Sequence, residues 1–286
     1  MRWKRRRFLG ALAAVPMVMS RALAQGPSRR VRVAVCGCGW RGGQLIPQFA
    51  GIEQAEIVAV CDPDTSRLAE KLALAKAKTG TSAIRAVRDI REVIDADDID
   101  ALVLSTPNHW HALATIWGLQ AGKHVYVEKP VAHDLWESHR MVEAAAKYGK
   151  VVQGGTHRRS FQTIRRIMDR IANKEFGRVR RAHVVIYRFR ESIGLRDTPL
   201  PIPETVDYNL WSGPAQMIPL YRNAFHYDWH WMWETGNGES ANNGSHMLDL
   251  ARWALQQETL APRVMSIGGR YLWNDAGETP NTQVVF

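Results

Sequence analysis

The stretch from Val31 to Asp62, VRVAVCGCGWRGGQLIPQFAGIEQAEIVAVCD, restricts the fold more than any other part of this 286-residue chain. Val31, Val33 and Val35 form a β-branched run suited to a strand buried on both faces of a parallel sheet. Gly37-Cys38-Gly39-Trp40-Arg41-Gly42 follows as a G-x-G-x-x-G. Its glycines permit a tight turn, close approach to a pyrophosphate and close helix–strand packing. A helix from about Arg41 then aims its positive end at the phosphates. A second buried run, Ile57 to Cys61, ends at Asp62, 23 positions beyond Gly39. That spacing is close to the ~20 expected of a carboxylate on the adenosine ribose. Cys38, Trp40 and Arg41 join the glycines as candidate cofactor contacts. Asp62 favours NAD by bonding a 2′-hydroxyl, while nearby Arg67 and Ser66 leave NADP possible.

Hydrophobic content of 45% and charged content of 23% are those of a soluble globular protein. The formal charge of +10 is concentrated at the start, and without the six basic residues of the first 24 it falls to about +4. No basic patch with interleaved aromatics points to nucleic acid. Cys36, Cys38 and Cys61 close the first two strands; they lack the ligand count and histidine spacing of a zinc site and read as buried free thiols. No metal is expected.

Met1 to Ala24 has a basic start, a short apolar middle and the small-residue end Ala22-Leu23-Ala24, as in a cleaved secretory signal too short for a stable membrane span. Arg5-Arg6-Arg7-Phe8-Leu9 fits the twin-arginine pattern, so export by the twin-arginine translocase to the periplasm is expected. That route carries folded proteins, which suits an enzyme that captures its dinucleotide before export. Residues 25–30 read as a linker.

Helices are expected at Thr65–Lys78, Arg88–Asp95, His109–Ala121 and Leu135–Lys147, alternating with strands at Ile99–Ser105, Val125–Val127 and Val151–Val152. The alternation means an α/β fold, a doubly wound parallel Rossmann sheet over 31–154. After Gly154-Gly155 the pattern changes to an α+β part, 155–286, with a mostly antiparallel open sheet. There a basic amphipathic helix is expected at Phe161–Ala172, strands at Arg178–Arg190 and Val264–Trp273, and a helix at Gly244–Leu255. The chain ends in strand-like text at Thr282 to Phe286, so this sheet is expected to be incomplete, and a homo-oligomer is expected through it.

Thr106-Pro107-Asn108-His109 and Glu128-Lys129-Pro130 both follow strands at their carboxyl ends, where such sheets bind ligands. Desolvation of Lys129 in a cleft would make it a usable proton donor or acceptor. Asn242 and His246 are four apart and share a face if their helix begins early. Between Trp211 and Trp233 aromatics crowd together, with Arg222, His226 and His230 among them as candidate hydroxyl partners.

Taken together, Gly37 to Gly42, Thr106-Pro107-Asn108-His109, Glu128-Lys129-Pro130 and Gly244-x-His246-x-x-Asp249 resemble the Gfo/Idh/MocA family of glucose–fructose oxidoreductases and inositol dehydrogenases. HWHALATIWGLQAGKHVYVEKP resembles its exported branch. The resemblance implies an NAD(P) cofactor, hydride exchange with a sugar or polyol carbinol carbon, Lys129 at the reacting hydroxyl and His246 as acid or base. Many family dehydrogenases carry Asp where this chain has Asn242, which can position a hydroxyl but cannot take its proton. The family also includes enzymes that oxidise a sugar transiently to drive glycoside cleavage or elimination. An NAD-dependent glycosidase or lyase is therefore the first alternative, and a non-catalytic dinucleotide- or sugar-binding protein the second.

Overall fold

The computed structural model describes residues 30–286; the expected signal and the linker up to residue 29 lie outside the described residues. Strand β1 (Val31–Cys36) runs to the glycine loop, helix α1 (Trp40–Ala50) follows, and β2 (Ala55–Cys61) ends at Asp62. Next come α2 (Thr65–Thr79), β3 (Arg85–Val87), α3 (Ile90–Asp95), β4 (Ala101–Leu104), α4 (Asn108–Gln120), β5 (His124–Val127), α5 (Leu135–Tyr148) and β6 (Val152–Gly154). The sequence pattern did not announce β3; it is three residues long and carries two arginine-flanked small side chains at a sheet edge.

All these strands pair in parallel, in the order β3-β2-β1-β4-β5-β6. This is the doubly wound Rossmann arrangement, whose order reverses between β1 and β4. Strand alternation divides the core. Ala34, Cys36, Leu102, Leu104, Val125 and Val127 face α3, α4 and α5. Val33, Val35, Ile57, Val60 and Val103 face α1 and α2. Both faces are apolar because both are covered, which is why the strands read as unbroken hydrophobic runs. Cys36 stands opposite Cys61 across the β1–β2 pair, and all three cysteines are buried free thiols.

Two glycines of the loop are demanded by packing. Gly37 has φ +92°, and a Cβ there would come within 2.5 Å of the Ser105 backbone. A Cβ on Gly42 would lie 2.0 Å from the Gly37 carbonyl oxygen. These are the tight turn and the close helix–strand contact that the motif implies.

Beyond β6 the chain forms α6 (Gln162–Ala172), α7 (Tyr208–Ser212), α8 (Gly238–Asn242), α9 (Gly244–Ala254), β7 (Ser266–Gly269) and β8 (Thr282–Val285). Among the described residues the antiparallel sheet of this part is the β7–β8 pair. The strand expected at Arg178–Arg190 is not formed: the segment is irregular, and Tyr187 is 97% exposed. A strand needs a neighbour to complete its hydrogen bonds, and among the described residues none pairs with this segment. Residues 31–286 form one compact unit. Among the described residues no helix is long and apolar enough to cross a membrane.

Candidate active site

The carboxyl edge of the sheet opens into a cleft of about 1040 Å³, at the upper end of ligand pockets. One wall comes from the ends of β1, β2, β4, β5 and β6, the other from the loops and short helices between 188 and 246.

At the switch point, Ser105 Oγ donates to the Gly37 carbonyl at 2.8 Å and ties the loop to the end of β4. Gly39 differs from its two neighbours in the motif. A Cβ there would project into open cleft, 3.8 Å from the nearest protein atom, Arg67 Nη1. It is also the N-cap of α1, with no side chain capping the helix. Backbone laid bare at a helix N-terminus, with room above it, suits a pyrophosphate.

Asp62 is 8% exposed. Its carboxylate accepts from the Cys38 amide at 2.6 Å and the Asp64 amide at 2.9 Å, so it braces the glycine loop as well as lining the cleft. Burial pushes its pKa up, and the two amides counter that. Arg67 lines the cleft beside it. Asp64 caps α2 and meets His226 Nε2 at 2.8 Å, so His226, expected as a substrate partner, is tied to the start of α2.

At the end of β5, Lys129 is half-buried and its Nζ donates to the Asn242 carbonyl at 2.7 Å and to Asn242 Oδ1 at 3.2 Å. Burial lowers its proton affinity. The neighbouring Glu128 is buried. It accepts from Arg41 Nε at 2.7 Å and from Tyr126 Oη at 3.0 Å, which ties the first turn of α1 to the lysine turn. His246 is 6% exposed, with Nδ1 buried and unpartnered. Burial, aided by the charge of Lys129, holds its pKa at about 4, so its imidazole is neutral. Its ring meets that of His157 edge to face at 4.5 Å. The helix carrying Asn242 does not continue to His246: α8 stops and α9 starts two residues later, yet both side chains line the cleft.

Trp40, Thr106, Pro107, Asn108 and His230 also line the cleft. Four expected residues do not reach it as ligand contacts, Gly42 among them, because it packs against the Gly37 carbonyl. Arg222 is 1% exposed, because its guanidinium donates to the Ala224 and Phe225 carbonyls, both at 2.9 Å. His109 is buried with Nε2 3.1 Å from the Trp211 carbonyl and Nδ1 3.4 Å from that of Thr235, pinning α4 to the second part. The Cys38 side chain is buried beneath the loop. His157, Arg158, Arg188 and Arg190, none of them expected, also line the cleft. His157 and Arg158 follow β6 at the same carboxyl edge, so the strand-end rule that found Lys129 reaches them too.

Residues 31–156 match a family model described as oxidoreductase family, NAD-binding Rossmann fold, and residues 186–281 match its C-terminal alpha/beta domain. The chain belongs to the Gfo/Idh/MocA oxidoreductase family. Its Rossmann domain is NAD-binding, in agreement with the open Gly39 cradle.

A glycosyl hydrolase family 109 protein of Shewanella pealeana is 33% identical over 144 residues, covering 48% of this chain and 30% of the relative. An alpha-N-acetylgalactosaminidase of Shewanella oneidensis is 33% identical over 123 residues, 42% of this chain and 27% of the relative. The matches thus span less than a third of these relatives' length. Among solved structures, the WlbA dehydrogenase of Bordetella pertussis, in complex with NADH and UDP-GlcNAcA, superposes with a TM-score of 0.63 at 24% identity, over 90% of this chain and 63% of that one. GenD2 from gentamicin A biosynthesis, in complex with NAD, gives a TM-score of 0.64 at 20% identity, over 90% and 62%. Both likenesses establish the shared fold.

Proposed function

We propose that this protein exchanges a hydride between NAD and a carbinol carbon of a sugar or polyol. The observation that carries the reading is Lys129. Its amine is half-buried, lowered in proton affinity and held by Asn242, in the same cleft as the open glycine loop and the neutral His246.

The glycine loop and the N-terminus of α1 would hold the pyrophosphate, with Asp62 and Arg67 at the ribose end. NAD, when bound, supplies the hydride acceptor. Lys129 takes the hydroxyl proton at Nζ, which requires its neutral form, and burial shifts the balance towards that form. His246 presents a neutral imidazole that can accept a proton or a hydroxyl hydrogen bond. Asn242 orients Lys129 through its carbonyl and its side-chain oxygen. Together the three groups fix the hydroxyl relative to the cofactor, which lowers the entropic cost of the reaction.

A second reading is favoured by the glycosyl hydrolase relatives and by the amide at Asn242: the sugar is oxidised only transiently and the hydride returned within one turnover. The test is to supply purified protein with NAD and a panel of free sugars and aryl glycosides, following NADH and the released phenol. NADH from free sugars supports the main reading; phenol without net NADH supports the second. Neither signal would leave a binding protein.

The same proposal includes the division at Gly154, export by the twin-arginine route, and self-association through the second part. Exposed Tyr187, Ile267 and Val284 support the last point. Replacing Arg5 and Arg6 with lysine should hold the precursor in the cytoplasm, and normal export of that variant would remove the twin-arginine reading.

A further inference from the structure

The substrate side of the cleft carries an uncompensated positive charge. Glu128, which lines the cleft, is paired with Arg41 at 2.7 Å, and Glu239 beside the cleft with Arg190 at 3.1 Å. Lys129 is held by neutral Asn242. Arg158 and Arg188 also line the cleft, and among the described residues neither forms an ion pair. The polar contact of Arg158 is Nη1 to the thioether of Met247 at 3.3 Å, a weak acceptor that leaves most of its donors unused.

The dinucleotide does not account for these cations, because its phosphates are served at the glycine loop and the α1 N-terminus. Burial, together with this surrounding charge, also keeps the nearby histidines neutral: His246 and His230 both lie at about 4. Moreover, the buried Nδ1 atoms of His246 and His157 have no partner. A planar guanidinium with free donors at the rim of the cleft matches a carboxylate or phosphate far better than a neutral hydroxyl.

We infer that the substrate carries an anionic group, a carboxylate or a phosphate, that docks on Arg158 and Arg188 while its carbinol carbon lies at Lys129. The inference rests on the hydride-exchange reading for the place of that carbon, and not for the anion site itself. It narrows the substrate class from sugars in general to acidic sugars, that is uronates or sugar phosphates.

The test is equilibrium binding by calorimetry to the full-length NAD-loaded protein. The probes are the gluco-, galacto- and manno-configured hexoses, their uronates and their 6-phosphates. Charge-assisted hydrogen bonds predict that at least one anion binds about tenfold or more tightly than its neutral parent. The advantage should shrink as ionic strength rises. It should be lost in Arg158→Gln and reduced in Arg188→Gln. Arg159→Gln, which removes an exposed arginine paired with Asp249 at 2.7 Å, should leave it unchanged. Preference for the uronate or for the phosphate tells which anion the site takes. Neutral hexoses binding as tightly as both anions would overturn the inference. So would no binding by any probe, or an anion preference that survives loss of both arginines. Binding is read without turnover, so the two readings fail separately. NADH made from neutral hexoses with no anion preference removes this inference alone. An anion preference without NADH removes the hydride reading alone.

Discussion

The sheet of residues 31–154 and the segment 178–246 build opposite walls of one cleft by different physics. The sheet is held by two apolar cores, with Leu102, Leu104, Val35 and Val60 fully buried on its faces. The facing segment has only small apolar clusters around Trp211 and Trp231. It is fastened instead by side chains that reach main-chain carbonyls: Arg222 to Ala224 and Phe225, Trp110 Nε1 to Trp211 at 2.9 Å, and His109 to Trp211 and Thr235. A close-packed core tolerates little displacement, so the strand-end residues are fixed by the sheet. Polar pins fix direction with little buried area, which suits a wall that presents Asn242, His246 and Arg188 to the cleft. On the proposed function the chemistry falls to the rigid wall, at Lys129, and recognition draws on both walls, with Arg158 on the rigid one and Arg188 on the pinned one.

The sharpest break of that division is Lys129→Met, which keeps bulk and removes the proton. Turnover should fall by about 10²–10⁴-fold, with NAD affinity little changed because the phosphates are held at the glycine loop. Should His246→Ala cost more than Lys129→Met in steady-state kinetics, the chemistry belongs to the pinned wall and the division is reversed.

Stability should separate the walls next. Leu102 lies on the central strand β4 with no exposed surface. Leu102→Ala should cost about 2–5 kcal/mol by denaturant titration, through lost burial and the cavity left behind. Arg222→Met removes a pin and leaves two carbonyls without donors, at about 1–3 kcal/mol. Equal losses would mean the pinned wall is as deeply integrated as the core.

A pH dependence probes the pins directly. Burial holds His109 at about 4, against an ordinary value of 6.5. Between those values the unfolded chain binds the proton and the folded one does not. The stability is therefore complete above 6.5 and is lost as pH falls towards 4, by at most about 1.4 kcal/mol per pH unit. Thermal melts across that window should show a shallower fall in His109→Gln. An unchanged slope would mean His109 is not the group that loosens the pinned wall.

The Rossmann half was legible because its signals are local: valine runs set the strands, Gly37 and Gly42 the turn, and Gly149 the left-handed end of α5. Lys129 was found because a strand end in a parallel sheet is a place as well as a sequence position. The pinned half was less legible. Arg178–Arg190 alternates like a strand, but alternation states a preference that only a neighbouring strand can satisfy. Arg222 sits among aromatics like a sugar-binding residue, yet its guanidinium is consumed two and three residues onward.

The sequence alone therefore determined the doubly wound sheet, the dinucleotide loop, the acid at Asp62 and the lysine at the edge of β5, because periodicity and turn chemistry act within a few residues. Only the tertiary structure decided which polar side chains face the cleft and which are spent on carbonyls. It also set the second task of Asp62 in bracing the Cys38 amide, the neutrality of His246 and the unpaired state of Arg158. Those outcomes depend on what lies opposite each group in space, and burial, pairing and charge are properties of that neighbourhood, not of the residue that enters it.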